Sequence, residues 1–423
     1  MIGKFVLASV LTGSVTGIFI VGYALLTKFL KLVLFLDHPI ESMYKLPTWY
    51  FFIVPTLSIL VVNFFIFNNK NLREYGVREI AEAIEANKFT LSMKDLLLKI
   101  FASSLSLASG FAVGNEGPSA AIGAVIAQKI HNLIKLPKKL LKISLSIGAS
   151  SGIAAVFVSP VTGIMFAIEN IAYEFVKNYA GYLILGSVIS FSIAWNFLES
   201  LIFTYSAGKF IEYRYVYATL LFIPFMTFFI YFYLTLKDIV LKFFSVKITE
   251  RFESFRNFVF AIIGGSVIGT IMSISPYAVF SGHEVVSILM NDKLHLPLIF
   301  IFSVVVLRII ATTVSIYANA IGGIFIALMS IGAFIGYGFA EIVNLFFFLE
   351  VEPFYFAAIG AAVFMGVNMR LPLTAMVLAL EITYDYNVIV PTGISVVLVT
   401  YLASLKFNLK KLTILRLRKA KRR

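Results

Sequence analysis

The most informative part of the sequence is the hexapeptide Gly114-Asn115-Glu116-Gly117-Pro118-Ser119, which interrupts a long apolar region. Its two glycines allow the backbone to turn and to approach a ligand closely. Pro118 suits the first turn of a helix, where its missing N–H group is not needed. We predict that a helix begins here inside a membrane, and that its free N–H groups and positive dipole end favour an anion.

Glu116 is the functional candidate in this hexapeptide. A carboxylate at membrane depth costs about 3 kcal/mol or more, so it is a functional hypothesis by default. At a helix start it is also an anion held on a tether beside an anion site. The alternative, a glutamate in the first turn of a water-facing helix, is disfavoured by the apolar flanks at residues 105–113 and 120–127.

The composition is typical of a polytopic membrane protein, because 60% of the 423 residues are hydrophobic and only 13% are charged. Cysteine is absent and the four histidines show no metal-ligand spacing, so we predict no metal and no cofactor. The formal charge of +13 comes from Lys and Arg in short loops and in the C-terminal tail. The positive-inside rule accounts for this pattern, so we predict no nucleic-acid partner.

The apolar segments predict the helices. The first, residues 5–35, is longer than a bilayer requires, and we interpret it as a membrane helix rather than a cleaved signal. Several later segments are short and interrupted by Gly or Pro, which is typical of transporters whose broken helices end near the midplane. The other predicted segments are residues 50–67, 96–109, 118–130, 145–157, 160–172, 182–203 and 217–234.

The chain contains an internal repeat in which matched residues lie about 210 positions apart. Glu116 aligns with Phe325, so the second half keeps the helix break and loses the carboxylate. We predict two related halves of inverted topology whose helix starts converge on one site. The matched pairs are Lys99 with Arg308, Ser106 with Ser315, Gly114 with Gly323, Gly123 with Gly332, Gly148 with Gly360, Pro160 with Pro372 and Glu169 with Glu381.

The repeat also predicts the domain organisation. We place the first half at residues 1–236, a charged linker at 237–256, the second half at 257–409 and a basic tail at 410–423. The tail should be cytoplasmic, and it either contacts anionic lipid or remains solvated. We expect no large soluble regulatory domain after the membrane part.

These motifs resemble the CLC family of chloride channels and chloride/proton antiporters over about residues 70–405. The hexapeptide resembles the family's Gly-Lys/Arg-Glu-Gly-Pro signature, and Gly323-Ile324-Phe325 resembles its Gly-x-Phe-x-Pro signature. A third block, residues 360–383, is the most specific of the three. The resemblance implies an all-α polytopic membrane protein of CLC-type fold. It would have two inverted repeats with broken and re-entrant helices, and it would be of the prokaryotic type without C-terminal CBS domains.

The resemblance further implies a function. Each subunit of a homodimer would have its own pathway for chloride or another small anion, in the cell membrane and in contact with lipid. Glu116 would be the gating and proton-carrying glutamate, and the N–H groups of Ile324 and Phe325 would hold the central anion. The anion-binding positions implied are Gly114, Asn115, Gly117, Pro118, Tyr75, Gly76, Gly323, Ile324 and Phe325.

Four positions depart from the family pattern. Asn115 replaces a basic residue, and Tyr75 replaces a serine whose hydroxyl helps to coordinate the anion. Ala327 replaces the proline of the second signature. Asn170 replaces a second, inward-facing glutamate that carries protons in antiporters, and an amide cannot titrate.

The main hypothesis is therefore chloride/proton exchange with Glu116 as the gate. A passive voltage-gated-type chloride channel is an alternative that Asn170 favours. A fluoride/proton antiporter of the same fold is another, because fluoride-selective members also lose the serine and the basic residue. A membrane enzyme is disfavoured by the lack of a His–acid pair, and a transport-dead relative by the intact Glu116.

Two other matched pairs leave alternatives open. For Glu169 and Glu381, capping or pairing at helix ends is favoured over a catalytic role. Lys99 and Arg308 either add positive potential along the pathway or are charges at the membrane edge.

Overall fold

The computed structural model describes residues 2–36, 38–72, 80–83, 89, 91–172, 176–198, 212–244, 253–291 and 296–420, with side chains up to residue 405. These residues are almost entirely helical, and eight helices are long and apolar enough to cross a membrane. The helices are α1 Ile2–Phe35, α2 Thr48–Asn68, α3 Met93–Ala108, α4 Glu116–Leu133, α5 Leu141–Phe157, α6 Pro160–Ala167, α7 Val176–Trp195, α8 Tyr213–Phe244, α9 Glu253–Ile274, α10 His283–Asn291, α11 Leu298–Tyr317, α12 Phe325–Phe347, α13 Pro353–Met369, α14 Pro372–Thr383 and α15 Ile389–Ala420.

The two predicted breaks in the first half are confirmed. Helix α3 ends at Ala108 and α4 begins at Glu116, with Pro118 in its first turn. Helices α5 and α6 are separated by Val158, whose φ of 50° is left-handed, and by Ser159, after which Pro160 begins α6. The predicted segment 160–172 is α-helical only as far as Ala167, and residues Ile168–Ala172 form a π-helical turn.

Matched glycines lie at equivalent helix crossings in the two halves. A Cβ atom on Gly123 or Gly148 would collide with the other's carbonyl oxygen, so α4 and α5 cross in backbone contact. Gly332 and Gly360 make the same reciprocal approach between α12 and α13. Small residues permit such close crossings in membranes, where packing rather than the hydrophobic effect holds helices together.

Each of the two matched glutamates caps the start of a helix in the opposite half of the chain, which confirms the capping interpretation. Glu169 accepts hydrogen bonds from the N–H groups of Leu373 (2.9 Å) and Thr374 (2.8 Å) at the start of α14. Glu381 accepts them from Val161 (3.1 Å) and Thr162 (2.6 Å) at the start of α6. A carboxylate at a helix N-terminus satisfies unpaired N–H groups and the positive dipole end.

The segments predicted as a charged linker and a basic tail are helical over most of the residues that the structure describes. Helix α8 continues to Phe244 and α9 begins at Glu253, so of residues 237–256 only 245–252 can be non-helical, and they lie outside the described residues. Helix α15 extends through the predicted tail as far as Ala420. Lys, Arg and Leu are good helix formers, so a charged stretch without Gly or Pro does not end a helix. The division into two halves remains a prediction.

The buried core lies at the centre of the bundle, where α4, α5, α12 and α13 are rich in Gly and Ala and almost wholly enclosed. Helices at the periphery expose large apolar side chains, such as Phe29, Phe64 and Phe228. Exposed apolar side chains on long apolar helices are what a lipid environment accommodates. The breaks of α3–α4 and α11–α12 are therefore held inside the protein, as irregular backbone at membrane depth must be.

Candidate functional site

The backbone joins the two helix breaks directly. Gly114 donates its N–H to the carbonyl of Gly323 at 2.7 Å, and Gly323 donates back to Gly114 at 2.7 Å. A Cβ atom on either glycine would collide with the carboxylate of Glu116. Glycine at both positions therefore lets the backbones pair and leaves room for the acid between them.

Two matched serines brace the pairing from both sides. Ser106 on α3 accepts a hydrogen bond from the N–H of Ile321 at 3.1 Å. Ser315 on α11 accepts one from the N–H of Ala112 at 2.9 Å. The sequence matched the two serines in the repeat but assigned them no role, because their partners lie in the opposite half.

Glu116 lies between the two helix starts and is only 1% exposed. Its Oε1 accepts a hydrogen bond from the N–H of Phe325, the first residue of α12, at 2.6 Å. Its Oε2 has no hydrogen-bond partner among the described residues. The carboxylate of one helix start thus occupies the anion-binding end of the other, where free N–H groups and the dipole favour negative charge.

Three aromatic rings wall the site on one side. The Phe325 ring centroid lies 4.4 Å from that of Phe157 and 5.4 Å from that of Phe166. Phe325 and Phe166 are fully buried, and Phe157 is nearly so. An apolar wall excludes water, so the interaction between an anion and the helix start is stronger there than at a surface.

The structure brings most of the predicted anion-binding residues together. Asn115 precedes the first residue of α4, and its buried Oδ1 has no partner among the described residues. Tyr75 and Gly76 lie outside the described residues. The predicted residues found at the paired helix starts are Gly114, Asn115, Glu116, Gly117, Pro118, Gly323, Ile324 and Phe325.

Asn63 on α2 supports the turn before the second break, a role that the sequence did not indicate. Its Nδ2 donates to the carbonyl of Ala318 at 2.9 Å, and its Oδ1 accepts from the Nδ2 of Asn319 at 2.8 Å. Asn319 has a left-handed φ of 63°, which Asn tolerates better than most residues. An asparagine in the middle of an apolar helix was the only available signal.

Lys99 and Arg308 are 2% and 0% exposed, so both cations are buried inside the protein, and both alternatives for them remain predictions. The Nζ of Lys99 donates to the carbonyl of Leu72 at 3.0 Å. Arg308 donates to the carbonyls of Tyr277 and Val279 at 2.9 and 3.1 Å. Arg308 thus binds the segment that leads into the short helix α10, and Lys99 binds the end of the turn that follows α2.

Asn170 lies in the π-helical turn after α6, and its Nδ2 donates to the carbonyl of Phe166 at 3.2 Å. The amide is therefore bound within its own helix. Among the described residues, no cluster of three His, Asp or Glu side chains could hold a metal ion.

Sequence comparison identifies similar proteins. A sequence model of the family described as "Voltage gated chloride channel" matches residues 56–404. The H(+)/Cl(-) exchange transporter ClcA of Vibrio cholerae serotype O1 (strain M66-2) is 26% identical over 328 residues, which cover 75% of this chain and 68% of that protein.

Solved structures with a similar fold cover nearly the whole chain. A slow cyanobacterial Cl−/H+ antiporter matches with a TM-score of 0.82 at 21% identity, over 95% of this chain and 94% of that one. A CLC-type fluoride/proton antiporter matches with a TM-score of 0.75 at 16% identity, over 95% of both chains. A eukaryotic CLC transporter matches with a TM-score of 0.74 at 17% identity, over 96% of this chain and 72% of that one.

Proposed function

Because this chain belongs to the voltage-gated chloride channel family, also called CLC, and has its fold, we propose that it exchanges a small anion for protons across the membrane. Chloride is the first candidate for the anion. The proposal is supported by the relative named as an H(+)/Cl(-) exchange transporter. It depends most on one observation, the buried Glu116 carboxylate bonded to the N–H of Phe325.

Glu116 acts in this proposal as a tethered competitor of the transported anion. While ionised, its carboxylate accepts the Phe325 N–H bond and fills the anion position at the start of α12. Protonation removes the charge that the helix start favours, so the neutral side chain leaves and a free anion takes its place. Proton binding and anion entry are thereby coupled at one residue.

The remaining anion ligands are proposed from the same geometry. The first turns of α4 and α12, which include Gly117, Pro118 and Phe325, present backbone rather than fixed cationic side chains. A site made of backbone dipoles holds an anion weakly enough to release it. Gly114, Asn115, Gly323 and Ile324 shape this site, and we keep Tyr75 and Gly76 as proposed ligands.

Two alternatives follow from departures in the sequence. Asn170 stands where antiporters of the family have a proton-carrying glutamate, which favours a passive chloride channel. Asn115 and Tyr75 stand where chloride-selective members have a basic residue and a serine, which favours fluoride as the anion.

The test is anion-driven proton movement in liposomes that contain the pure protein. A chloride gradient is imposed with the voltage clamped by a potassium ionophore, and internal pH is recorded. We expect uphill proton movement in the wild type and none in Glu116→Gln, whose amide cannot titrate. Anion flux through Glu116→Gln should no longer depend on pH, whereas Glu352→Gln, at an exposed surface position, should behave as the wild type.

Each other outcome selects an alternative. Chloride flux without proton movement in the wild type would indicate a channel. If chloride gives no flux, the same assay with fluoride tests the second alternative. Flux of neither anion would reject the proposed transport function.

We propose that both chain termini are cytoplasmic, and contacts between helix ends support this orientation. Gln128, near the end of α4, donates to the carbonyl of Phe89 just before α3, so α4 returns to the face at which α3 begins. The loop after α4 carries Lys135, Lys138 and Lys139, and the positive-inside rule assigns such a loop to the cytoplasm. Helix α2 ends at this face, since Asn69 bonds Asp95, so α1 begins there as well.

Three further contacts support the membrane orientation of the helices in the C-terminal half. Phe5 at the start of α1 packs against Tyr182 near the start of α7, so α7 ends and α8 begins at the external face. Glu352 donates its N–H to Tyr215, and Tyr355 donates to the carbonyl of Asn387. Helices α8, α13 and α15 therefore begin externally, and the basic end of α15 is cytoplasmic.

We further propose a homodimer in the cell membrane, in contact with lipid, as the family resemblance implies. Its stoichiometry is tested by native mass spectrometry in detergent, where a dimer mass is expected and a monomer mass would reject it. Each subunit would keep its own Glu116, so the dimer would contain two pathways.

A further inference from the structure

A cavity of about 220 Å³ lies where four helices meet, apart from the paired helix starts. It is lined by the ends of α5, α7 and α14 and by the start of α6. Because α7 ends and α15 begins externally in the proposed orientation, the cavity lies at the external side of the protein. The Phe157 ring lines it, and its centroid lies 4.4 Å from that of Phe325, so this ring separates the cavity from the anion site.

The helix ends give the cavity a negative character. Helix α5 ends at Phe157, α7 at Trp195 and α14 at Thr383. The last carbonyl groups of a helix carry a partial negative charge, equivalent to about half an elementary charge. Helix α6 begins at the same cavity with the opposite sign, but the Glu381 carboxylate caps that start. The sum of these charges favours a cation.

Glu381 lines the cavity and retains a free acceptor position. Its Oε1 accepts one hydrogen bond, from the N–H of Val161 at 3.1 Å. Its Oε2 accepts two, from the N–H of Thr162 at 2.6 Å and from the hydroxyl of Ser159. Each carboxylate oxygen has two lone pairs, so Oε1 can accept one further bond. Among the residues that the structure describes, no Lys or Arg lines the cavity, so a cationic donor for this position would be a ligand.

Aromatic rings supply the second feature that a cation recognises. Four aromatic side chains line the cavity, those of Phe157, Phe191, Trp195 and Tyr384. The ring centroids of Phe191 and Trp195 lie 5.5 Å apart, with their planes inclined at 55°. A cation within about 6 Å of a ring centroid is attracted to the ring face, most strongly to that of Trp. Rings together with a carboxylate are suited to an organic ammonium group.

The mouth of the cavity lies at the level of lipid head groups. Trp195 and Tyr384, at the external ends of α7 and α14, are 48% and 62% exposed. Exposed Trp and Tyr side chains at the ends of membrane helices are typical of the interface between the head groups and the hydrocarbon. A ligand that enters from this level meets the rings first and the Glu381 carboxylate behind them.

An apolar stripe on α7 leads from the mouth into the membrane. Its residues are spaced four, three and four positions apart, so they share one face of the helix: Ile184, Val188, Phe191 and Trp195. The last two line the cavity, whereas Ile184 and Val188 are exposed. This stripe offers an acyl chain a continuous apolar surface below the cavity, which favours a lipid over a soluble amine.

We propose that this cavity binds the primary ammonium head group of a phospholipid from the outer leaflet. The ammonium donates one N–H bond to Oε1 of Glu381, packs against the ring of Trp195 and directs its other N–H groups to the helix ends. The phosphate stays at the mouth, in water, and an acyl chain follows the stripe on α7. A choline head group has no N–H donor, so it cannot form the bond to Glu381.

Native mass spectrometry of the full-length protein in detergent tests this inference. The probes are phosphatidylethanolamine and phosphatidylcholine with identical acyl chains. We expect the wild type to bind the ethanolamine lipid about tenfold more tightly. Trp195→Leu should reduce this preference to about twofold or less. The control is Trp49→Leu, which removes the other tryptophan of the chain, exposed at the external start of α2, and should keep the wild-type preference.

The two matched glutamates provide a second pair of variants. Glu381→Gln and Glu169→Gln each weaken an equivalent helix cap, but only Glu381 lines the cavity. We expect the preference for ethanolamine to be lost in Glu381→Gln and kept in Glu169→Gln. Thermal unfolding shows that each variant is folded, and the tryptophan pair decides the matter if a glutamine variant is not.

The other outcomes overturn the inference. Equal affinity of the wild type for the two lipids would mean that the cavity does not select an ammonium group with N–H donors. A preference that persists in Trp195→Leu, or that is lost in both glutamine variants, would place its cause elsewhere. Displacement of the lipid by millimolar free ethanolamine would assign the cavity to a soluble amine. Lipid binding is measured without transport, so a failure of the proposed exchange leaves this test unaffected.

Discussion

Gly323 lies so close to the Glu116 carboxylate that an added Cβ atom would be 1.9 Å from Oε1, far inside contact distance. We therefore expect Gly323→Ala to displace the carboxylate from the N–H of Phe325 and to lower coupled exchange by at least about tenfold. The matched control is Gly22→Ala, because a Cβ atom at Gly22 would have no neighbour within 4 Å. Liposome flux measures both variants, and wild-type exchange by Gly323→Ala would mean that the close approach is not required.

Glu116 shows what single residues reveal in a sequence. An acid between two glycines in an apolar region has few structural explanations, so its burial could be predicted from cost alone. The bond that it forms with Phe325 could be anticipated only through the repeat and the family resemblance. The environment of Lys99 and Arg308 was harder to predict. A cation in an apolar segment has the same local sequence pattern whether its side chain reaches the membrane edge or binds buried carbonyls.

Two helices, α6 and α14, each begin at a cap supplied by a glutamate from the opposite half of the chain. Glu169→Ala and Glu381→Ala each remove an acceptor from two backbone N–H groups at the start of a helix in the other half. We expect each to destabilise the protein by about 1–2 kcal/mol and by similar amounts, since the two caps are equivalent. Thermal unfolding in detergent measures this, with the exposed Lys139→Ala as the control.

A large drop in stability for one variant and none for the other would contradict the equivalence of the two caps. The ratio of protons to anions transported should stay at the wild-type value in both variants, because neither glutamate lies at the paired helix starts. A changed ratio would instead assign that glutamate a role in proton transfer.

Helix breaks were predictable where Gly or Pro marks them, as between α3 and α4 or α5 and α6. Helix ends were less so. The sequence around residues 237–244 and 410–420 is charged, which suggested a linker and a tail, yet α8 and α15 extend through these residues. Charged side chains in the sequence indicate where a segment leaves the membrane, and they do not indicate where its helix ends. Pairing between distant residues, such as Asn63 with Asn319, depends on tertiary contacts that no local pattern contains.

The orientation of the whole molecule has a direct test, because the chain contains no cysteine and a single introduced thiol is unambiguous. In intact cells, a membrane-impermeant maleimide should label Glu350→Cys and should not label Lys138→Cys or Arg423→Cys. Opening the membrane should allow all three to react. The reverse pattern would invert the orientation.

The reciprocal bonds between matched residues have a consequence for the origin of the chain. Gly114 with Gly323, Ser106 and Ser315 with the opposite loops, and Glu169 and Glu381 with the opposite helices all bind across the repeat rather than within it. An unfused half-length ancestor would have needed a second copy of itself, inserted upside down, to satisfy these groups. In the present chain Phe325 stands opposite Glu116 and binds it, so the two helix starts are no longer equivalent.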